Sequence, residues 1–467
     1  MTETNKKNSY QFRSKLPLII RGLAVLGMLA AIFVIGIGFY NARNNEKFRL
    51  KGAHTQLSKD VVGVINGYER RESEDGVIKY FLKADKATTF SDEHQELDNV
   101  FLQIYDEKNQ ELTDKISANQ AIYVPETDGS KNFTIYFAGD VDVETRDALK
   151  VKTEQLKYIN NTEIADSEEL VEFSRENITG KSFGAIVNIK AKTLDLLKDV
   201  EIDAQNGDSY GELAKTDVRH AKIKSGRAYI DQIAEKIKLE QGVDIALTPK
   251  SENSRSLSQP TDIKADSAIA YFSDKEIRKL DLNGNVDVYQ KPTSTNPSWM
   301  KTKANRAIAT VDQELKKLEL YENVEIETIR DDSKPTKILA GSAIYDKASD
   351  LFDLENKVEI ITVEDTKPTK IKSAKALYRQ ASGKLTLSGN AEIFQGEDVV
   401  RGEIIDAELF PNRKLQFARA RGNAFLKQKT SERTTEINAV ELNATFGLNE
   451  LIKDANAIGK SEVVILP

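Results

Sequence analysis

Three stretches of the chain follow one pattern: KLELYENVEI (Lys317 to Ile326), LFDLENKVEI (Leu351 to Ile360) and KLTLSGNAEI (Lys384 to Ile393). Apolar and polar residues alternate, a short group rich in Gly, Asn or Glu interrupts them, and a second alternating run follows. Because successive side chains of a strand point to opposite faces, this period of two predicts half-buried strands around a turn or bulge. KLDLNGNVDV (Lys279 to Val288) and TIYFAGDVDV (Thr134 to Val143) share the pattern.

The pattern belongs to an internal repeat of about 35 residues. DSKPTKI (Asp332 to Ile338) recurs as DTKPTKI (Asp365 to Ile371) with one conservative change. A shorter element precedes several of the long runs and contains spaced alanines followed by one aromatic residue. Examples are Ala340, Ala343 and Tyr345, and Ala374, Ala376 and Tyr378. Repeats of this length stack on their neighbours. We therefore predict an all-β fold, an open antiparallel β-jelly-roll or stacked V-shaped β-sheets.

Composition excludes several classes of function. The 467-residue chain has a formal net charge of −7, whereas nucleic-acid binders usually present a basic face, so no nucleic-acid partner is expected. It contains no cysteine, which excludes disulfides and thiolate chemistry. His54, His94 and His220 lie outside any spacing typical of a metal site. We expect no metal and no cofactor.

Catalytic motifs are also missing from the sequence. Gly180-Lys181-Ser182 and Gly459-Lys460-Ser461 resemble part of a phosphate-binding loop, but Arg175 and Asp454 stand where that loop requires a glycine. The 74 acidic residues form no pair that stands out from a solvated surface. An enzyme is therefore not expected.

The run Gly22 to Tyr40 contains no charged residue and is long enough to cross a hydrocarbon core of about 30 Å. A cleaved signal peptide is the alternative, but its apolar region is usually shorter. We favour one uncleaved transmembrane helix over residues 22–40. The flanking Lys and Arg residues weakly favour cytoplasmic residues 1–21, with the bulk of the chain across the membrane.

The order of several segments resembles a known family, LptC, the inner-membrane bridge component of lipopolysaccharide export. The resemblance covers roughly residues 17–205 and rests on the anchor and on YFLKADKATTF (Tyr80 to Phe90), DNVFLQIY (Asp98 to Tyr105), ISANQAIY (Ile116 to Tyr123), AGDVDV (Ala138 to Val143), VKTEQLKY (Val151 to Tyr158), GKSFGAIVNI (Gly180 to Ile189) and LDLLKDV (Leu194 to Val200). The segment at Gly180 to Gly184 matches only loosely.

The later repeats are similar to a second family, LptA of the OstA-like group, the periplasmic bridge component of the same system. This chain would then join two proteins that are usually separate. The expected organisation is an LptC-like β-jelly-roll over residues 55–205, a continuing β repeat and linker over 206–262, and LptA/OstA-like β repeats over 263–467.

These resemblances imply a non-enzymatic lipid-binding bridge that carries lipopolysaccharide, or a related outer-membrane lipid, from the inner to the outer membrane. They imply three protein or membrane partners: an inner-membrane ABC transporter complex, a periplasmic bridge or outer-membrane translocon subunit, and the inner membrane through the single helix. The expected location is the inner membrane, single-pass, with the bulk in the periplasm. A membrane-anchored structural or adhesive β-repeat protein is the alternative.

Acyl chains would lie against the apolar face of the alternating strands. The predicted trough lining is Ile135, Phe137, Val141, Val143, Leu280, Leu282, Val286, Val288, Leu318, Leu320, Val324, Ile326, Phe352, Leu354, Val358, Ile360, Leu385, Leu387 and Ile393. An array that does not close leaves a strand edge at its end. We expect the C-terminal edge, Val463, Val464, Ile465 and Leu466, to be a partner-docking surface.

Overall fold

The computed structural model describes residues 59–466, with gaps at 107–108, 127–131, 147, 163, 176–177, 189–190, 206–217, 232, 250–258, 274–275, 313, 330–334, 365–366, 380, 411–414, 430–432 and 448–451. The predicted cytoplasmic segment and the predicted transmembrane helix over residues 22–40 lie outside the described residues. No helix in the described part of the chain has the length and apolar character needed to cross a membrane.

The regular structure is β-strand in every described segment, which confirms the all-β, antiparallel prediction. In chain order the strands are β1 (Val61–Glu74), β2 (Val77–Phe90), β3 (Gln95–Tyr105), β4 (Thr113–Pro125), β5 (Phe133–Glu144), β6 (Lys150–Ile159), β7 (Ile164–Arg175), β8 (Ile178–Asn188), β9 (Thr193–Gln205), β10 (Val218–Asp231), β11 (Lys236–Pro249), β12 (Thr261–Ala265) and β13 (Ser267–Ser273). They continue as β14 (Glu276–Gln290), β15 (Trp299–Asp312), β16 (Glu314–Ile329), β17 (Thr336–Asp346), β18 (Leu351–Glu364), β19 (Lys367–Arg379), β20 (Lys384–Gln395), β21 (Asp398–Leu409), β22 (Leu415–Lys429), β23 (Thr434–Phe446), β24 (Ile452–Ile458) and β25 (Glu462–Leu466).

The described chain forms two compact units. The N-terminal unit contains β1 to β11 and β13, and the C-terminal unit contains β12, nearly all of β14, and β15 to β25. Within each unit most strands pair with their sequence neighbours, and every described pair is antiparallel. The domain boundaries predicted from the sequence remain predictions.

The groups that interrupt the alternation are bulges inside long strands rather than hairpin turns. In β20, Gly389 and Asn390 have φ values of 78° and 54°, and the strand pairs with β21 both before and after them. Gly284 and Asn285 do the same in β14, where they face the single residue Asn305 of β15. Such bulges bend a strand while the pairing on either side continues.

At two bulges an asparagine side chain bonds to a nearby carboxylate. Asn285 donates a hydrogen bond from Nδ2 to Asp266 Oδ2 at 3.0 Å, and Asn423 donates one to Glu403 Oε1 at 3.0 Å. Asparagine tolerates positive φ better than most residues and has an amide that can reach a neighbouring carboxylate. The Gly/Asn signature in the sequence is therefore explained by backbone conformation together with a side-chain bond.

The N-terminal unit has an interior filled by aromatic rings. The bulges divide each strand into two halves. Tyr80 belongs to a row of paired residues on one side of the bulges and Phe133 to a row on the other side. Their ring centroids are nevertheless 5.2 Å apart, in an edge contact. Tyr123 and Tyr158 contact Phe133 at 5.1 Å and 5.8 Å. The two halves of these strands therefore face each other across a packed core. Burial raises the pKa of Tyr80 and of Tyr123, so both phenols stay neutral.

Replacing Gly389 by alanine should destabilise the bulge between β19 and β21. A Cβ atom there would lie 2.5 Å from Ala374 Cβ, at a φ of 78° that L-residues rarely adopt. We expect a local loss of about 1–3 kcal/mol, measured as faster hydrogen exchange in β19 to β21 of the full chain. Gly63→Ala is the matched control, since no atom lies within 4 Å of its added Cβ. Equal exchange rates in the two variants would contradict the proposed strain.

Candidate functional site

Cross-strand pairing places residues from successive strands of the C-terminal unit in a continuous row, apolar except for Thr302, which we call the isoleucine ladder. Each member pairs directly with the next, and the inward face is identified by its buried first members, Ile263 and Val288, which are 0% and 2% exposed. The ladder consists of Ile263, Val288, Thr302, Ile326, Ile338, Ile360, Ile371, Ile393, Val400, Leu426, Ile437 and Val463.

A second row, the leucine–alanine ladder, runs along the other half of the same strands, beyond the bulges. Large and small side chains mostly alternate from strand to strand, an arrangement that allows facing layers to interdigitate. Its members are Leu282, Ala307, Leu320, Ala343, Leu354, Ala376, Leu387, Ile405, Ala420, Leu442 and Ala457. Ala343 and Ala376 of the short repeat element are thus the partners of leucines.

An adjoining row carries the larger rings of the C-terminal unit. Tyr345, Phe352 and Tyr378 pair in succession, with centroids 4.4 Å and 6.3 Å apart. Leu318 and Leu385 continue the row on either side. These residues lie two positions from the leucine–alanine ladder and therefore on the same face.

The two ladders differ in their exposure to solvent. The leucine–alanine ladder is buried across the middle of the unit, for example at Leu387 (0% exposed) and Leu354 (8%). The isoleucine ladder becomes half-buried at Ile326 and stays so until Ile437. An apolar row that is partly open to solvent and continuous over many strands is a surface on which hydrocarbon chains could lie.

Charged groups beside the isoleucine ladder lie on the opposite face of the strands. Lys337 pairs with Glu325 and Glu327, and Lys370 lies 2.6 Å from Glu359 Oε1. The hydrogen bonds from Lys337 to these two glutamates raise the pKa of Lys337. The members of the ladder themselves carry no charge, and Asp398 at the start of β21 is an acidic residue two positions from one of them, Val400.

The structure places the predicted lining residues of the C-terminal unit in these apolar rows or beside the bulges. Val288, Ile326, Ile360 and Ile393 belong to the isoleucine ladder; Leu282, Leu320, Leu354 and Leu387 belong to the leucine–alanine ladder; Leu280, Leu318, Phe352 and Leu385 form the adjoining row; and Val286, Val324 and Val358 lie beside the bulges. Their contact with lipid remains a prediction.

The predicted residues of the N-terminal unit have different surroundings. Ile135, Phe137 and Val141 are at most 1% exposed and belong to the aromatic core, and Val143 packs against it. In this structure they contact protein side chains, and any lining role also remains a prediction.

Sequence reasoning missed the ladder members on the intervening strands. Ile338, Ile371, Val400, Leu426 and Ile437 were not proposed as lining, although each pairs with a ladder residue on both sides. The duplicated KPTKI motif contains two of these residues and was the available signal. Strand pairing was needed to place them beside the others.

The described residues contain no group of three His, Cys, Asp or Glu that could hold a metal ion. His94 contacts Asp92 through Nδ1, and His220 Nε2 lies 2.8 Å from Asp203 Oδ1. Each of these histidines thus has a local acidic partner.

Strand edges without a described partner occur in both units. β25 pairs only with β23 among the described strands, and its Val463, Ile465 and Leu466 are 57%, 58% and 47% exposed. In the N-terminal unit β1 pairs only with β2 within the described residues, and Val62 and Val64 are 70% and 53% exposed. Exposed apolar edges of this kind favour pairing with another chain.

Comparison with known proteins gave one family match and several similar solved structures. Residues 27–205 match the family "Lipopolysaccharide-assembly, LptC-related", which confirms the resemblance of the N-terminal part to LptC. One solved structure that matches is LptH, described as the LptA homologous periplasmic component of the conserved lipopolysaccharide transport device from Pseudomonas aeruginosa. It is 14% identical, covers 45% of this chain and 96% of its own, and has a TM-score of 0.17, too low to indicate a shared three-dimensional arrangement. No curated protein matches.

The difference between the two ladders predicts different responses to truncation. Leu387→Ala removes a fully buried side chain and should cost about 2–5 kcal/mol. Ile360→Ala should cost about 1–2 kcal/mol, because part of its side chain already contacts water. Hydrogen exchange of β18 to β21 in the full chain measures both losses. A larger loss in Ile360→Ala than in Leu387→Ala would contradict a partly open isoleucine ladder.

Proposed function

We propose that this chain, whose residues 27–205 match the LptC-related family, is a non-enzymatic bridge that holds the acyl chains of lipopolysaccharide on its way from the inner to the outer membrane. The observation that carries the proposal is the isoleucine ladder, which is apolar, free of charge and half-exposed over successive strands. Family membership of the N-terminal segment supports the identity of the lipid.

The energetics of such a site follow from its composition. Transfer of each methylene from water to an apolar surface contributes about 0.8 kcal/mol, so a few methylenes per chain suffice for binding. Because neighbouring strands offer similar side chains, no position along the ladder is strongly preferred. A lipid could therefore move from strand to strand without a large barrier.

The proposal includes a location and partners. We infer a single-pass inner-membrane anchor over residues 22–40 and a periplasmic location for the strands. The inner-membrane ABC transporter complex would load the lipid, and a periplasmic bridge or outer-membrane translocon subunit would receive it. The driving energy would come from the transporter, because this sequence has no nucleotide-binding motif.

The free edge of β25 supports the proposed docking of the receiving partner. Val463 is the last member of the isoleucine ladder and pairs with Ile437. A strand added to this edge would extend the sheet by main-chain hydrogen bonds and continue the same apolar row. Lipid transfer would then need no gap between the two proteins.

Binding of lipopolysaccharide can be measured with a dye on the ladder. Because the chain has no cysteine, the single substitution Ile360→Cys can carry an environment-sensitive fluorophore in the full chain. We expect its emission to shift to the blue when lipopolysaccharide is added, because acyl chains displace water there. The control is Val440→Cys, a residue of β23 that is 59% exposed and outside the ladder. No shift at Ile360, or equal shifts at both positions, would favour a purely structural or adhesive array.

Docking is tested separately at the free edge. Val463→Asp with Ile465→Asp should abolish co-purification of the outer-membrane translocon subunit, because two charges would be buried in the new strand pair. Loading with lipid should be retained on the other strands, since the change removes only the last member of the ladder, Val463. Val440→Asp is the control, as it adds a charge to an exposed apolar position away from the edge. Unchanged partner recovery in the double variant would disprove the docking model.

A further inference from the structure

A row of uncharged polar side chains follows the isoleucine ladder from β12 to β20, and ends where Gln395 pairs with Asp398. Each member lies two residues from a ladder residue on the same strand and therefore on the same face. Consecutive members pair directly across the strands, and we call the set the threonine row: Thr261, Gln290, Met300, Thr328, Thr336, Thr362, Thr369 and Gln395. All members except Met300 carry a hydroxyl or an amide.

The duplicated sequence motif encodes this arrangement. In each copy of Thr-Lys-Ile the threonine belongs to the row and the isoleucine to the ladder, at Thr336 and Ile338 and again at Thr369 and Ile371. The intervening lysine points to the opposite face, where it pairs with glutamate. The same three-residue unit thus supplies a hydrogen-bonding group, an outer ion pair and an apolar contact.

Two unpartnered buried polar atoms lie near the beginning of the row, one on the row member Gln290 and one on the ladder residue Thr302. Gln290 is 4% exposed and its Nε2 has no hydrogen-bond partner, and the same holds for Oγ1 of Thr302, which is 2% exposed. Thr302 pairs with Val288, two residues from Gln290, so the two side chains are diagonal neighbours on one face. Buried polar groups normally have a partner, and these two are aimed at the face that carries the ladder.

From this placement we propose that the threonine row is a binding site for the uncharged linkage groups of an acylated lipid, its ester and amide carbonyls and its hydroxyls. The proposal rests on the lipid-bridge function and adds a polar subsite to it. Acyl chains lie on the isoleucine ladder, and the oxygens near their attachment points exchange hydrogen bonds with the other polar members of the row. The hydroxyls of Thr261 and Thr328 already donate to the main-chain oxygens of Gln259 and Trp299.

The distance between neighbouring members of the row would allow a bound lipid to move from one strand to the next. Neighbouring strands are about 4.8 Å apart, so a linkage oxygen that leaves one hydroxyl meets an equivalent one at the next strand. Neutral groups hold the linkage oxygens more weakly than charged ones would, because charge-assisted hydrogen bonds are about twice as strong. The row would therefore keep the lipid in orientation while allowing it to slide.

The test compares lipopolysaccharide with hexadecane, a hydrocarbon that has no linkage oxygens. Both are titrated against the full chain that carries the dye at Ile360→Cys, with and without the triple change Thr336→Val, Thr362→Val and Thr369→Val. Valine keeps the shape of threonine and removes the hydroxyl. We expect about tenfold weaker binding of lipopolysaccharide, the effect of one or two lost hydrogen bonds, and binding of hexadecane unchanged or slightly tighter.

Thr445→Val is the matched control, an exposed threonine of β23 outside the row, and should change neither affinity. If the triple variant binds lipopolysaccharide as the parent does, or loses both probes in parallel, the polar subsite is wrong while the lipid-bridge function stands. If the parent chain binds neither probe, the proposed function fails and the subsite with it.

Gln290→Leu provides an independent measurement. Removing an unpartnered buried amide should leave the fold at least as stable, while binding of lipopolysaccharide becomes weaker and binding of hexadecane does not. Unchanged affinity for lipopolysaccharide in this variant would mean that an internal water satisfies Gln290, and would exclude it from the subsite.

Discussion

Strand register is the constraint on which every other feature of this protein depends. Because side chains alternate with a period of two, a slip of one residue between any two strands would move isoleucines to solvent and lysines to the inner face. The bulges preserve that register: each inserts a bend where two residues face one, and pairing resumes in phase beyond it. Two apolar rows can therefore run side by side through many strands.

One ladder is buried and stabilises the unit, and the other is partly exposed to solvent. The leucine–alanine ladder is closed by the fit of large against small side chains and supplies the burial that a stable unit needs. With that half closed, the isoleucine ladder can stay half-exposed without loss of the fold. Outer ion pairs such as Lys370 with Glu359 keep the other face of those strands soluble. In the N-terminal unit, by contrast, Phe133 and its neighbouring rings fill the interior.

Much of the C-terminal unit could be predicted from sequence, because the alternation within each strand depends only on residues that are close together in the chain. Alternation in Leu351 to Ile360 identified the strand and its inward face, and the repeat extended this to the other long runs. The Gly389-Asn390 pair left a turn and a bulge equally possible, since both need positive φ, and only pairing with β21 on both sides distinguishes them. The contact between Tyr80 and Phe133 joins residues far apart in the chain, and no local pattern predicts it.

Alternation of leucine and alanine has a consequence for how such a chain can change in length. From β14 to β20 the ladder has a period of two strands, and this stretch stays in phase only if strands are added or removed in pairs. The phase changes once, where Leu387 of β20 pairs with Ile405 of β21. Each permitted step would lengthen the array by about 10 Å, twice the distance between strands. Evolution could thus adjust its reach in whole hairpins, each bringing its own outer ion pair, and leave the ends of the sheet unaltered.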